Sequence, residues 1–310
     1  MSVTLNAMLT TEVGPILLAT STKLPVWATC AKIFIYESLS IILIYRIIIF
    51  ILYLLYNLLK KYIVVVLILI QEIKATDMQV KRYRDDRGPT DAGWLKSMHT
   101  FSFGHYHDPE HMGFASLRVI NDDRVIPDAG FGTHPHSNME IISYVLSGEL
   151  AHKDSMGNGS IIKPGDVQLM SAGTGITHSE YNGSDTEQVH FLQIWIMPNV
   201  ENTVPEYQQE SFKPDEMHNR FRIIVSEDGA EGSLVIKQDA RLFVGKFDED
   251  MESEFITAKN RKYWLQIAKG KATVNDDEAS AGDGFAIQGE DKIIIKTKTA
   301  SEILLFDLAQ

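Results

Sequence analysis

From residue 78 to the C-terminus, short apolar runs alternate with Gly, Pro and Asp turns, and few stretches carry the spacing of an amphipathic helix. The pattern predicts strands over 113–120, 140–146, 167–169 and 189–197. A polar, proline-bearing connection at 200–216 follows, and strands resume over 221–225, 233–238, 241–247, 263–268, 284–287 and 303–308. The two halves echo each other. Lys163-Pro164-Gly165-Asp166 parallels Ser280-Ala281-Gly282-Asp283, and Gly148 corresponds to Gly270, each just after an apolar run. This predicts an all-β body of two stacked antiparallel barrels from one duplicated unit, with 78–200 as the first domain, 201–219 as a linker and 220–310 as the second.

The leader, 1–77, has a different texture. Residues 38–59 are mostly apolar and long enough to span a bilayer as a helix, although Arg46 and Asn57 interrupt them. A charge near the centre of such a span costs about 3 kcal/mol on insertion scales. The run at 63–70 is too short to span. Lys60, Lys61, Lys74, Lys81, Arg82 and Arg84 outnumber Lys23 and Lys32 on the other flank, so insertion would leave the body on the cytoplasmic side. The competing reading is a mis-assigned start. Ile, Leu, Phe, Tyr, Asn and Lys dominate 33–70, as translated AT-rich DNA would give, and Met78 opens an ordinary soluble sequence. Either reading leaves the chemistry in the body, and the membrane is a partner only if the leader is made.

Charge sharpens the division. The formal net charge of −12 splits into +2 for the leader and −14 for the rest, which disfavours binding to nucleic acid phosphates. The one cysteine, Cys30, lies in the leader, so the body has no disulfide, thiolate ligand or cysteine nucleophile, which is compatible with a reducing cytoplasm. Gly157-Asn158-Gly159-Ser160 reads as a hairpin turn rather than a phosphate loop, and G-x-S-x-G and H-E-x-x-H are absent.

Histidines carry the candidate chemistry. His134-Pro135-His136 and, after a strand–turn–strand stretch, His178-Ser179-Glu180 each place two ligand-type side chains two residues apart. In extended backbone such pairs share a face and can aim at one point inside a barrel. Three imidazoles and a carboxylate suit Fe(II), Mn, Ni, Cu or Co with positions left for exchangeable ligands. Without a metal, four converging buried groups would lack partners. Of the other histidines, His105 and His107 sit in a turn-rich loop, and His99 and His111 are expected to make structural hydrogen bonds or to line the cavity entrance. His152 is expected to be exposed, and His190 to be a satisfied core histidine.

These motifs resemble the two conserved motifs of the cupin superfamily and, within it, the pirin family. Pirin-like stretches include His99-Thr100-Phe101-Ser102-Phe103, Leu117-Arg118-Val119-Ile120-Asn121, His152-Lys153-Asp154-Ser155-Met156-Gly157-Asn158 and Gly175-Ile176-Thr177-His178-Ser179-Glu180, spread over most of 79–198. The resemblance implies a bicupin of jelly-roll barrels whose second copy has lost its metal site, since no histidine follows His218. An ungapped transfer along the repeat puts the lost ligands at Ile256, Ala258, Ile295 and Thr297. Many cupins take a ligand from the position of Glu140, whereas pirins take the carboxylate two residues after the third histidine, here Glu180. The implied ligands are therefore His134, His136, His178 and Glu180 around one divalent ion, foremost Fe(II), with Glu140 in a supporting role. The implied activity is that of a quercetin 2,3-dioxygenase, the oxidative ring cleavage of a flavonol by O₂ with CO release, in which Glu180 takes the substrate's hydroxyl proton. Two alternatives remain, a cupin dioxygenase with a non-flavonoid substrate and a redox-sensing regulator that acts on a protein partner.

Overall fold

The computed structural model describes Leu43, residues 45–65 and residues 78–310. Among the described leader residues, Tyr45–Val65 is one helix of 21 residues, long and apolar enough to cross a bilayer. The start of the candidate span at 38–59 lies outside the described residues.

Two seven-stranded and two four-stranded sheets make up the body. In the first domain the large sheet runs, in spatial order, Glu206–Ser211, Asp166–Ser171, Glu140–Ser147, Val189–Ile196, Leu117–Val125, Leu95–His99 and Gly88–Asp91. Its small sheet is Gly130–His136, Ile176–Asn182, Leu150–Asp154 and Gly159–Ile162. The second domain repeats the order. Its large sheet is Met78–Arg82, Gly284–Gln288, Arg261–Lys269, Ser301–Ala309, Ala240–Phe247, Phe221–Ser226 and Leu234–Val235, and its small sheet is Glu252–Ile256, Lys292–Thr297, Lys271–Val274 and Asp277–Ser280.

The repeated turns explain why the pattern shows in the sequence. Asp166 accepts from the Lys163 amide at 2.9 Å, and Asp283 accepts from the Ser280 amide at 2.8 Å, so both Gly-Asp turns close in the same way. Gly148 and Gly270 both turn hairpins with positive φ, 77° and 84°. A Cβ there would run into the carbonyl of Gln188 in one copy and of Ala300 in the other.

Two strands depart from the expected domain limits. Met78–Arg82 opens the chain's body yet pairs with Gly284–Gln288 of the second sheet. Glu206–Ser211 falls inside the segment read as a linker, yet pairs with Asp166–Ser171 of the first. Each covers an edge that would otherwise expose unpaired backbone groups. The strand expected over 113–120 begins only at Leu117, and that over 233–238 shrinks to Leu234–Val235.

The large sheets share one apolar core, to which the first contributes Leu117, Ile142, Tyr144 and Ile194 and the second Leu242, Val244, Leu304 and Phe306. Along Glu140–Ser147, Ile142, Tyr144 and Leu146 join this core while Ser143 faces the barrel interior. Buried Tyr144 donates its hydroxyl to Glu302 at 2.5 Å, and Lys269 reaches Glu302 at 3.0 Å and the Leu146 carbonyl at 2.7 Å.

The second barrel is filled with Tyr263, Leu265, Ile267, Phe285, Ile293, Ile295, Ile303 and Leu305. Strand register corrects the transferred ligand positions. His178 and Glu180 pair with Asp154 and His152, whereas Ile295 and Thr297 pair with Val274 and Ala272. Counting from Gly148 and Gly270, Glu180 therefore matches Ile295 and His178 matches Ile293, whose partner Phe255 takes the place of His134. The loop before Lys292–Thr297 is shorter than its counterpart, so ungapped counting overshoots; Ile256 is 69% exposed, outside the core. Burying Ile293 and Ile295 gives roughly 1.5–3 kcal/mol each, where the first barrel carries polar groups.

Candidate metal centre

Three adjacent strands of the first small sheet build the site. Ile176–Asn182 runs down the middle and carries His178 and Glu180. Gly130–His136 lies on one side, with His134 directly opposite His178 and His136 opposite Ile176. Leu150–Asp154 lies on the other, with Asp154 opposite His178 and His152 opposite Glu180. Alternation turns these residues to one face, into the barrel.

The imidazoles of His134, His136 and His178 converge, with ring centroids 4.8, 4.5 and 4.8 Å apart and one ligand atom from each within 4.8 Å of the others. His134 Nδ1 lies 2.7 Å from the Gly132 carbonyl, which assigns it the proton and leaves Nε2 free for a metal. His178 is 2% exposed and neither ring nitrogen has a hydrogen-bond partner. Burial, followed by His134, pulls the His136 ring down to about 4; burial, with His134 and His136 behind it, pulls His178 down to about 3. The His136 and His178 rings stay neutral at pH 7 and keep their lone pairs.

Glu180 joins His178 and His152 in an adjoining group of ligand atoms within 4.8 Å of one another. The four expected ligands thus fall into two groups that share His178. The Glu180 carboxyl accepts from Ser143 at 2.9 Å and from the Gln193 amide at 2.6 Å. Burial nevertheless pushes it up to about 7, because two neutral donors do not offset desolvation. An orphaned imidazole with two more beside it, next to a carboxyl lacking a counter-charge, fits a divalent cation bound through N and O.

Glu140 is placed elsewhere. It lies at the seam between the domains and accepts from Ser171 at 2.8 Å and from the Lys237 amide at 3.3 Å. Parity counted from His136 fails here because the turn at 137–139 separates the two strands. His99 makes the structural bonds expected of it, to Asn121 at 2.7 Å and Thr90 at 2.8 Å. His111 binds Asp108 at 2.8 Å, His190 binds Asp122 at 2.7 Å, and His105 and His107 are exposed.

The expectation for His152 is corrected. It is 3% exposed, not on the surface, because it sits inside a strand and not in the turn that follows. Ser143, Gln193, Gln168 and Tyr207 also surround the site without a signal in the sequence. His152-Lys153-Asp154 did carry one, an H-x-acid pair like His178-Ser179-Glu180 on the neighbouring strand. A recess of about 520 Å³ opens beside His136, lined also by Pro135, Ser137, Ser155, Gly175 and Thr177, a volume suited to a small organic ligand.

Residues 78–196 match the Pirin family and 223–308 the quercetinase C-terminal cupin domain. The chain belongs to the pirin family. This pirin is 48% identical over 227 residues to the quercetin 2,3-dioxygenase of Escherichia coli K12, covering 73% of this chain and 97% of that protein. It is 39% identical over 227 residues to a pirin-like protein of Caulobacter vibrioides, covering 73% and 97%. Among solved structures it resembles the bacterial pirin YhhW of Escherichia coli in complex with nickel(II), with a TM-score of 0.71 and 46% identity over 75% of this chain and 99% of that one.

Proposed function

We propose that this pirin is a metal-dependent dioxygenase of the quercetin 2,3-dioxygenase type, with His134, His136, His178 and Glu180 as ligands to one divalent ion. The observation that carries this reading is the buried His178 ring, both of whose nitrogens lack a partner, facing two further imidazoles. The 48% identity to a quercetin 2,3-dioxygenase and the nickel(II) complex of a similar pirin support it. We expect Fe(II) as the resident ion, with Ni, Mn, Co and Cu accommodated by the same donors. Bound there, the metal supplies Lewis acidity toward a substrate hydroxyl and a route for electrons to O₂.

The residues supply the rest. His134, fixed through Gly132, and His178, fixed by packing, hold two corners of the site. The Glu180 carboxyl, buried and turned into the barrel beside His178, is placed to take the proton of a flavonol 3-hydroxyl at Oε1 or Oε2. Ser143 and Gln193 hold that carboxyl in either protonation state, because a hydroxyl and an amide can each turn to donate or accept. Where the apolar leader inserts, the basic residues that follow it favour the cytoplasmic side for this chemistry.

The test is turnover of quercetin under O₂ by the full chain reconstituted separately with Fe(II), Ni(II), Mn(II), Co(II) and Cu(II), with CO measured in the headspace. CO stoichiometric with substrate loss is expected with at least one ion. Metal uptake without CO from quercetin or related flavonols would overturn the flavonol assignment and leave a different substrate or a regulatory role.

A further inference from the structure

We propose that His152 is a positioning residue for the ligand His178, and that Tyr207, from the strand Glu206–Ser211, holds it in place. The inference rests on the metal reading above and extends it to residues outside the ligand set.

A ligating imidazole ordinarily donates its second N–H to an acceptor, which fixes the plane of the ring. His134 follows that rule through Gly132. His178 does not, since neither of its nitrogens finds a partner in the fold. Its orientation is set by the rings around it, and on the side away from His134 and His136 that ring is His152, with centroids 5.3 Å apart at 51°.

His152 cannot serve as a further ligand while its own bonds persist, although it lies within 4.8 Å of His178 and Glu180. Gln168 donates to its Nδ1 at 3.2 Å, which assigns the proton to Nε2, facing Asp154 at 3.4 Å. Asp154 is fixed in turn by the Met156 and Asn158 amides at 2.9 and 3.0 Å and by the Asn158 side chain at 2.8 Å. Both nitrogens of His152 are committed, so it meets His178 through ring contact alone.

Tyr207 packs against the same ring. Its ring lies 5.0 Å from that of His152 at 31°, and its hydroxyl ties to Ser160 at 2.5 Å and Gln209 at 2.7 Å. Because Tyr207 sits on the strand contributed by the interdomain segment, the segment that joins the barrels also clamps the metal site from behind.

The experiment loads the full chain with Co(II) and follows its release to excess chelator together with the ligand-field absorption of the bound ion. His152→Leu and Tyr207→Leu are expected to speed release about ten- to a hundredfold and to shift the absorption, as loss of support behind a ligand does. Tyr207→Phe, which keeps the ring, should stay near wild type, and the double leucine variant should release no faster than His152→Leu. Should His152→Leu fail to fold by circular dichroism, His152→Gln replaces it, keeping a polar partner for Gln168 but no ring, with the same expected release. Wild-type release rates in the folded variants, additive effects, or a fourth nitrogen donor in the spectrum of the Cu(II) form would overturn the assignment. If the wild-type protein takes up no Co(II), the metal reading itself fails, a result distinct from unchanged release.

Discussion

Glu180→Gln should stabilise the metal-free protein and destabilise the metal-loaded one. In the metal-free fold, burial moves the Glu180 carboxyl from 4.5 to about 7. Between those values the native state keeps a proton that the unfolded chain has released, so native stability falls as pH rises through that window. At about 1.4 kcal/mol for each unit, the accumulated cost is about 3 kcal/mol above pH 7 and close to zero at pH 4.5. Glutamine has the same shape, can accept from Ser143, and can meet Gln193 once that amide turns over, yet carries no charge. Urea denaturation of chelator-treated protein should therefore show the variant about 3 kcal/mol more stable at pH 8, or about 6–12 °C in Tm, with the gap closing toward pH 4.5. Added metal should reverse the order, because wild type gains a charged ligand that the variant lacks. A metal-free variant less stable than wild type at pH 8 would mean instead that the carboxylate has a counter-charge inside the fold.

At the seam, Tyr144→Phe removes the hydroxyl bonded to Glu302 and should cost about 2 kcal/mol by urea denaturation, the value of a buried bond to a charged acceptor; no loss would mean that Lys269 and Lys246 suffice. Burial pushes the Asp122 carboxyl up, but His190, Arg87 and Arg124 outweigh it and hold it well below the usual range, so its contribution exists above the unfolded value and is lost on acidification. Asp122→Asn should accordingly be less stable than wild type at pH 7, with the difference shrinking below about pH 4; a constant difference would point to packing instead. A chain starting at Met78 should keep its fold, whereas one starting at Gly88 should lose it, because Met78–Arg82 pairs with Gly284–Gln288 and Arg84 binds Asp283 at 2.7 Å. Equal thermal stability of the two chains would contradict that role.

The repeat and the metal motifs were legible because local chemistry writes them. A Gly-Asp turn needs the same residues in both copies, and two ligands on one strand must sit two apart. What could not be read is set by partners distant in sequence. His152 looks like a turn residue until strand pairing puts it opposite Glu180. Glu140 keeps a plausible count from His136, but the turn between them sends it to the other face of the sheet, toward Lys237 of the second domain. Glu206–Ser211 is polar because one side of an edge strand faces water, so it reads as a linker although it pairs along its length with Asp166–Ser171. The exchange of Met78–Arg82 into the second barrel is a property of topology alone.

Anomalous diffraction from crystals of the metal-loaded full chain, collected on both sides of the metal's absorption edge, decides whether His134, His136, His178 and Glu180 form the ligand set. One ion is expected between His134, His136 and His178, bonded to Nε2 of His134, with a Glu180 oxygen completing the set at about 2.1 Å. An ion bound through His152 in place of His134 and His136, or no ion in the first barrel after loading, would contradict it.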